Sequence, residues 1–193
     1  MGKKYIFTIT TNATLLKEEQ IKFLAENNFN LVISLDGPAE IQDANRVFAD
    51  GESGTFETVM NNLKKVKEIN EAYYSNISFN AVIDLSQNFS CANDFFLSYD
   101  MVKNSGITGN FVSNTNRKEE MNFKLQFYID SLYELFKIYL YYANDINFYS
   151  RYKPSLLDAS VRSIRSGLYE RFVSKNMVSG KMTTGGQCLP GIQ

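Results

Sequence analysis

The sequence predicts an α/β protein built on parallel strands, and three observations carry that prediction. Short apolar and β-branched runs alternate with segments of helical periodicity. One of these runs, Asn30–Asp36, is nearly continuous in apolar residues through Ser34, as suits a strand covered on both faces. The intervening helical segments are about 10–15 residues long, the length of βαβ crossovers.

The elements follow in order. Tyr5–Thr11 is a strand, and Lys17–Asn27 a helix with Ile21, Leu24 and Ala25 on one face. Asn30–Asp36 is the second strand, and Gly37–Gly54 reads as a long polar loop. Phe56–Asn70 is an amphipathic helix, with Phe56, Val59, Leu63 and Val66 at helical spacing and Thr55 as its N-cap. Ile77–Leu85 is a third strand, Asn93–Asn104 a third helix, and Ile107–Val112 a fourth strand. The pattern then changes. Lys118–Ala143 is a long helix whose apolar stripe is Leu125, Tyr128, Ile129, Leu132, Leu135, Phe136 and Tyr139. After Pro154, Ser155–Phe172 is another helix with Leu156, Ala159 and Ile164 inward, and Ser179–Gln193 lacks periodicity. Three regions result: a βα part over 1–117, a helical region over 118–178 and a flexible end over 179–193. An open four-stranded sheet and a piece of a larger barrel both fit this pattern, since a closed barrel of this type needs eight units.

Composition narrows the chemistry. The chain of 193 residues has 20 basic and 21 acidic side chains, so no nucleic-acid partner is indicated. It has no His, which excludes His-Cys zinc sites, Ser-His-Asp triads and any histidine base. Its two cysteines, Cys91 and Cys188, are no disulfide framework and fit a reducing, cytoplasmic compartment. They cannot by themselves hold an iron–sulfur cluster, which as a rule takes four thiolates. The apolar run after Lys4 is too short for a signal peptide. The most apolar stretch, Leu132–Tyr142, carries Glu134 and Lys137 and cannot span a bilayer. The triplets at Asn12, Asn76 and Asn88 are read as chance sequons in an Asn-rich chain.

The motifs are weak one by one. Thr11-Asn12-Ala13-Thr14 and Asp36-Gly37-Pro38 read equally well as plain turns, and Arg46 as a solvated charge. Their order is more specific. TTNATLL closes one strand, ISLDGPAEIQDANR closes the next, and Gly54-Thr55-Phe56 opens a helix. This order resembles the radical SAM enzymes with a C-terminal SPASM domain, peptide and protein maturases such as the anaerobic sulfatase-maturing enzymes and the makers of thioether cross-links. Their pattern is TNGTLL, then S-[LM]-D-G-P-x-x-I-H-D-x-x-R, then G-[ST]-F. The resemblance is close over Thr8–Lys67 and looser over the next strand–helix–strand. It resumes at Cys188-Leu189-Pro190-Gly191, which is similar to the Cys-x-Pro-Gly opening a SPASM region. Ala13 stands where the family has Gly, and Gln42 where it has His.

The resemblance implies a partial (β/α)6 barrel of TIM type, of which this chain holds strands three to six as a half-barrel with a helical extension. It implies that the CxxxCxxC motif is absent and the SPASM domain cut after its first cysteine, so the chain reads as a middle fragment. It implies S-adenosylmethionine and [4Fe-4S] clusters as cofactors of the intact parent, with none expected on this chain alone. Ser34 would meet the ribose, Arg46 the methionyl carboxylate and Thr115 the adenine, with Asn12 and Asp36 on the polar rim. A guanidinium matches a carboxylate's two oxygens. Cys188 would ligate an auxiliary cluster, and Cys91 has no family role. The partner would be a peptide or protein substrate from which hydrogen is abstracted. Two other readings stand beside this one. A non-catalytic peptide- or partner-binding module is one. An unrelated phosphate-binding domain is the other, though no Gly-rich loop supports it. Missing strands would also bare a sheet edge, so a homodimer or strand exchange through that edge is expected, with Lys118–Phe172 as the other candidate interface.

Overall fold

The computed structural model describes residues 5–112, 124–143 and 155–173, with side chains of the last segment to Ser166. Residues 1–161 form one compact unit and 162–193 a second; of the second, residues 162–173 are described, and they are helical. Thr115, Cys188, Pro154 and the 179–193 stretch lie outside the described residues.

Four strands, β1 (Thr8–Thr11), β2 (Asn30–Ser34), β3 (Ser78–Ile83) and β4 (Gly106–Phe111), form one parallel sheet in the order β1-β2-β3-β4. Sequential order with crossovers of one hand places the connecting helices on a single face. Those helices are α1 (Glu18–Glu26), α2 (Ala39–Asn45), α3 (Phe56–Ile69), a single turn α4 (Glu71–Tyr74) and α5 (Phe89–Ser98). Burial follows the strand period of two. Leu31, Ile33, Phe79, Ala81 and Ile83 are buried, while the residues between them are half-exposed. The buried set meets Ile21 and Leu24 of α1, Val59, Leu63 and Val66 of α3, and Phe95 and Phe96 of α5 in one core. Each fully buried Leu, Ile or Phe contributes roughly 1.5–3 kcal/mol.

The four predicted strands and the first three predicted helices are present, with corrections at their ends; of the predicted Lys118–Ala143 helix, residues 118–123 lie outside the described residues and the helix runs over Leu125–Tyr142. The first strand begins at Thr8 rather than Tyr5, and the second ends at Ser34. The Gly37–Gly54 segment is not all loop: Ala39–Asn45 is helical and buries Ile41 and Gln42. The third helix begins at Phe89, four residues earlier than its apolar pattern suggests. Asn88 caps it by accepting the Cys91 N–H at 3.0 Å. Thr55 does not cap α3 with its side chain; Asp43 Oδ1 instead accepts the Phe56 N–H at 2.8 Å. Gly54 makes this reach open, because a Cβ there would stand 2.2 Å from the Asp43 carboxyl carbon.

Two further helices are α6 (Leu125–Tyr142) and α7 (Asp158–Val173). The α6 stripe predicted to face the core is turned outward. Leu125, Tyr128, Ile129, Leu132, Leu135, Phe136 and Tyr139 are exposed, and Phe127, Ser131, Glu134 and Ile138 are buried. The cause is local. Phe127 packs edge-on against Phe89 at 5.5 Å and Phe111 at 6.4 Å, and Ser90 Oγ donates to Asp130 Oδ2 at 2.8 Å. An aromatic cluster plus a polar tether thus chose the narrower face. Just before α7, Leu156 is buried as expected; within it, Ala159 is half-buried and Ile164 is exposed against expectation. Gly109 permits the Leu156 segment to lie on β4, since a Cβ there would meet the Leu156 carbonyl oxygen at 2.6 Å.

Candidate functional site

A parallel sheet covered by helices on both faces would be apolar on both. Here the second face is polar. Paired residues of a parallel ladder point the same way, and the register sets Ser34 beside Asn80 and Asn80 beside Thr108. One step toward the strand ends, Val82 lies beside Asn110, whose Nδ2 donates to Asn80 Oδ1 at 2.7 Å. Thr8, Thr10, Thr108 and Asn110 on this face are exposed, and Ser34 and Asn80 are half-buried. No charged side chain lies among these strand positions. The face can give and accept hydrogen bonds without carrying charge.

Charge enters at the carboxyl-end rim, just past β2. Arg46 Nε donates to Asp36 Oδ2 at 2.6 Å and Arg46 Nη2 to Asp36 Oδ1 at 2.9 Å. Asp36 is buried, while the Arg46 side chain remains 29% exposed. Asp36 Oδ1 also accepts the Val82 N–H at 2.9 Å, so the carboxylate lies over β3. A second layer holds this pair. Gln42, fully buried, accepts the Asp36 N–H at 2.8 Å and donates to Thr55 Oγ1 at 3.1 Å. Thr55 Oγ1 in turn donates to the Arg46 carbonyl at 2.9 Å. The chain from Asp36 to Thr55 is therefore closed on itself by side chains. That explains how a segment with Pro38, Gly51 and Gly54 keeps one conformation around Arg46.

The sequence-predicted residues fall into three groups. Asp36 and Arg46 are brought together, and Ser34 stands on the same face, its hydroxyl without a side-chain partner among the described residues. Asn12, after β1, accepts the Thr14 N–H at 3.2 Å and the Thr14 hydroxyl at 3.0 Å, which is turn chemistry. Thr115 and Cys188 lie outside the described residues. Sequence reasoning missed Gln42, Thr55, Asn80, Thr108 and Asn110 as members of this face and its support. Only the strand register brings the last three together.

Elsewhere, an apolar groove of about 480 Å³ runs between β1 and α1, lined by Ile9, Leu15, Phe23 and Phe29. Glu19 is the one ionisable side chain in its lining, so it carries no catalytic pair. Cys91 Sγ donates to Glu40 Oε1 at 3.3 Å, and burial, then that bond and the Glu40 charge, push the thiol pKa up. Among the described residues no group of three His, Cys, Asp or Glu could hold a metal ion.

No family model matches the chain. A cysteine-type anaerobic sulfatase-maturating enzyme of Clostridium novyi (strain NT) is 45% identical over 58 residues. Native anSMEcpe with bound AdoMet superposes with a TM-score of 0.53 at 25% identity over 72% of this chain. Over the 58-residue segment, and in its fold, the chain is similar to the radical SAM sulfatase-maturating enzymes. Native anSMEcpe with bound AdoMet and Cp18Cys peptide has the same TM-score at 24% identity over 74% of the chain, a likeness of fold. The four-stranded parallel sheet with its helices corresponds to part of the barrel in these sulfatase-maturating structures. The chain spans 38% of those solved neighbours, and the matched segment spans 15% of the curated relative.

Proposed function

We propose that this chain is the S-adenosylmethionine-binding part of a radical SAM enzyme that modifies a peptide or protein by abstracting hydrogen. The observation that carries the reading is Arg46, gripped at two points by Asp36 just past the carboxyl end of β2, the strand that ends at Ser34 on the open polar sheet face. Ligands of parallel α/β sheets bind at those strand ends. The residues fit the cofactor. Arg46 uses Nε and Nη2 on Asp36 and keeps Nη1 for a carboxylate oxygen. Ser34 keeps its hydroxyl for a ribose oxygen. The resemblance adds Thr115 for the adenine and Asn12 for the rim. Asp36 serves by holding Arg46. Bound near a reducing iron–sulfur cluster, S-adenosylmethionine supplies the radical chemistry, while the protein orients it and excludes water.

The described residues do not fit a cluster, so no step is assigned to one. We infer that Cys188 is one ligand of an auxiliary [4Fe-4S] cluster, which two cysteines cannot complete by themselves. The chain alone is accordingly proposed to be inactive. A peptide partner is supported by the neighbours solved with Cp18Cys and Kp18Cys peptides. The free Cys91 supports a reducing, cytoplasmic setting. No helix of the described residues is long and apolar enough to cross a membrane.

The cysteine shortage also favours a second reading, a non-catalytic module that binds a peptide or partner chain. Calorimetric titration of the 193-residue chain with S-adenosylmethionine separates the two. Binding that is lost in Arg46→Ala supports the first. Binding of peptide but not of S-adenosylmethionine supports the second.

A further inference from the structure

A Thr at the head of a helix normally accepts one of the first free N–H groups. Thr55 stands at the head of α3 and is buried, yet its hydroxyl caps nothing. It donates to the Arg46 carbonyl at 2.9 Å and accepts from Gln42 Nε2 at 3.1 Å. Asp43 Oδ1 takes the Phe56 N–H in its place. Nor is the Thr55 bond what closes the loop over 47–54. An antiparallel bridge between Val47 and Gly54 does that, with the Phe48 N–H on the Ser53 carbonyl at 2.8 Å. What the hydroxyl adds is a hold on Arg46 itself. Arg46 ends α2 with its N–H on the Gln42 carbonyl at 2.9 Å. Thr55 takes its carbonyl, so the backbone is fixed on both sides of Cα, while Asp36 fixes the guanidinium. The side chain is held at its root and near its tip.

We propose that Thr55 is a positioning residue: through the Arg46 carbonyl, its hydroxyl sets where the remaining guanidinium nitrogen meets a ligand carboxylate. This rests on the S-adenosylmethionine reading above. Thr55 touches no ligand and acts through Arg46. Without the hydroxyl, the Arg46 carbonyl and Gln42 Nε2 each lose their partner, and the root of the side chain is free to shift. A displacement of about 1 Å in a positioned group can cost on the order of a hundredfold. Asp36 still grips the tip, so a loss of about tenfold in affinity is expected here.

The test uses the whole 193-residue chain and two readouts. Nitrogen–proton correlation NMR follows the Arg46 Nε–H signal, identified by its absence in Arg46→Lys. Calorimetry follows S-adenosylmethionine. Thr55→Val keeps the size of the side chain and removes the hydroxyl; if it does not fold by circular dichroism, Thr55→Ala takes its place. The substitution should move the Nε–H signal toward that of a solvated arginine and weaken binding about tenfold. Thr55→Ser keeps the hydroxyl and should restore both. In an Arg46→Lys background, Thr55→Val should change affinity less than about twofold, because residues that act through one another are not additive. Equal losses in both backgrounds would mean a merely structural role and overturn the proposal. An Nε–H signal unmoved by Thr55→Val overturns it too, as does a Ser variant no better than Val. A parent chain that binds no S-adenosylmethionine sinks the cofactor reading alone, and the Nε–H comparison still decides whether Thr55 sets Arg46.

Discussion

Arg46 holds both oxygens of Asp36, with contacts of 2.6 Å and 2.9 Å, while Asp36 also receives the Val82 N–H at 2.9 Å. The carboxylate is buried and the guanidinium partly open, so the pair is neither a surface bridge nor a fully dry one. Its geometry leaves one guanidinium nitrogen for a ligand and removes most of the freedom of the rest.

Arg46→Lys keeps the charge but loses the fork. It should weaken S-adenosylmethionine binding at least about tenfold, since a two-point grip on Asp36 and the aim it gives are both lost. Asp36→Asn should destabilise the fold by about 2 kcal/mol, below the full cost of breaking a buried pair because Arg46 can turn to water. Titration calorimetry reads the first effect and urea unfolding the second. Unchanged affinity in Arg46→Lys would remove Arg46 from the site.

Gln42 accepts one hydrogen bond and donates another at zero exposure. Gln42→Ala leaves the Asp36 N–H and the Thr55 hydroxyl short of a partner and should cost about 2–3 kcal/mol. A neutral imidazole has one acceptor and one donor nitrogen, so Gln42→His should cost clearly less at pH 8. Protonation removes the acceptor. The folded state then disfavours the charged form and holds the imidazole pKa below its unfolded value. Stability of Gln42→His should therefore fall as pH drops through about 6.5, whereas the parent shows no such step. Equal stability of the Ala and His variants at pH 8 would show that the two bonds contribute nothing.

Ala13 is fully buried and has φ of +58°, with its carbonyl accepting Asn62 Nδ2 at 2.8 Å. Ala13→Gly relieves about 1–2 kcal/mol of left-handed strain but loses a buried methyl worth about 0.8 kcal/mol. It also loosens the unfolded chain by about 0.4–1 kcal/mol. The net change should stay within about 1 kcal/mol. Ala13→Val adds a β-branched side chain at positive φ in the core and should cost more than about 2 kcal/mol. Thermal unfolding of the two variants checks the contrast.

Burial and Glu40 hold the Cys91 thiol protonated above its ordinary range. In a Cys188→Ser background, iodoacetamide should label Cys91 several-fold more slowly at pH 8 than it labels the unfolded chain. Glu40→Gln should raise that rate. Between the unfolded and the raised folded pKa the folded state binds more protons, so this group's contribution to stability falls as pH rises. A labelling rate equal to that of the unfolded chain would contradict the geometry.

Some of this was legible in the residues. Phe56–Ile69 follows from its own apolar spacing, and the four strands from their β-branched runs, because these are local signals. The order of Asn12, Asp36 and Arg46 carried the resemblance. Helix α2 is not legible because seven residues with Ile41 as their one large apolar side chain give no amphipathic period that outweighs the surrounding Pro and Gly. Thr55 was misread as a side-chain cap because its hydroxyl is taken by the Arg46 carbonyl, nine residues away.

The sequence by itself determined the α/β class, the strand–helix alternation and the family to which the motif order points. Those depend on periodicity and on neighbours a few residues apart. Only the tertiary structure decided that Asp36 serves Arg46, that Asn80 and Asn110 share the open face with Ser34, and that α6 turns its broader apolar stripe to solvent. Strand register, a shared carboxylate and the choice between two apolar helix faces are each settled by groups distant in the chain. No local pattern can rank such alternatives, since their energies differ only once the elements meet.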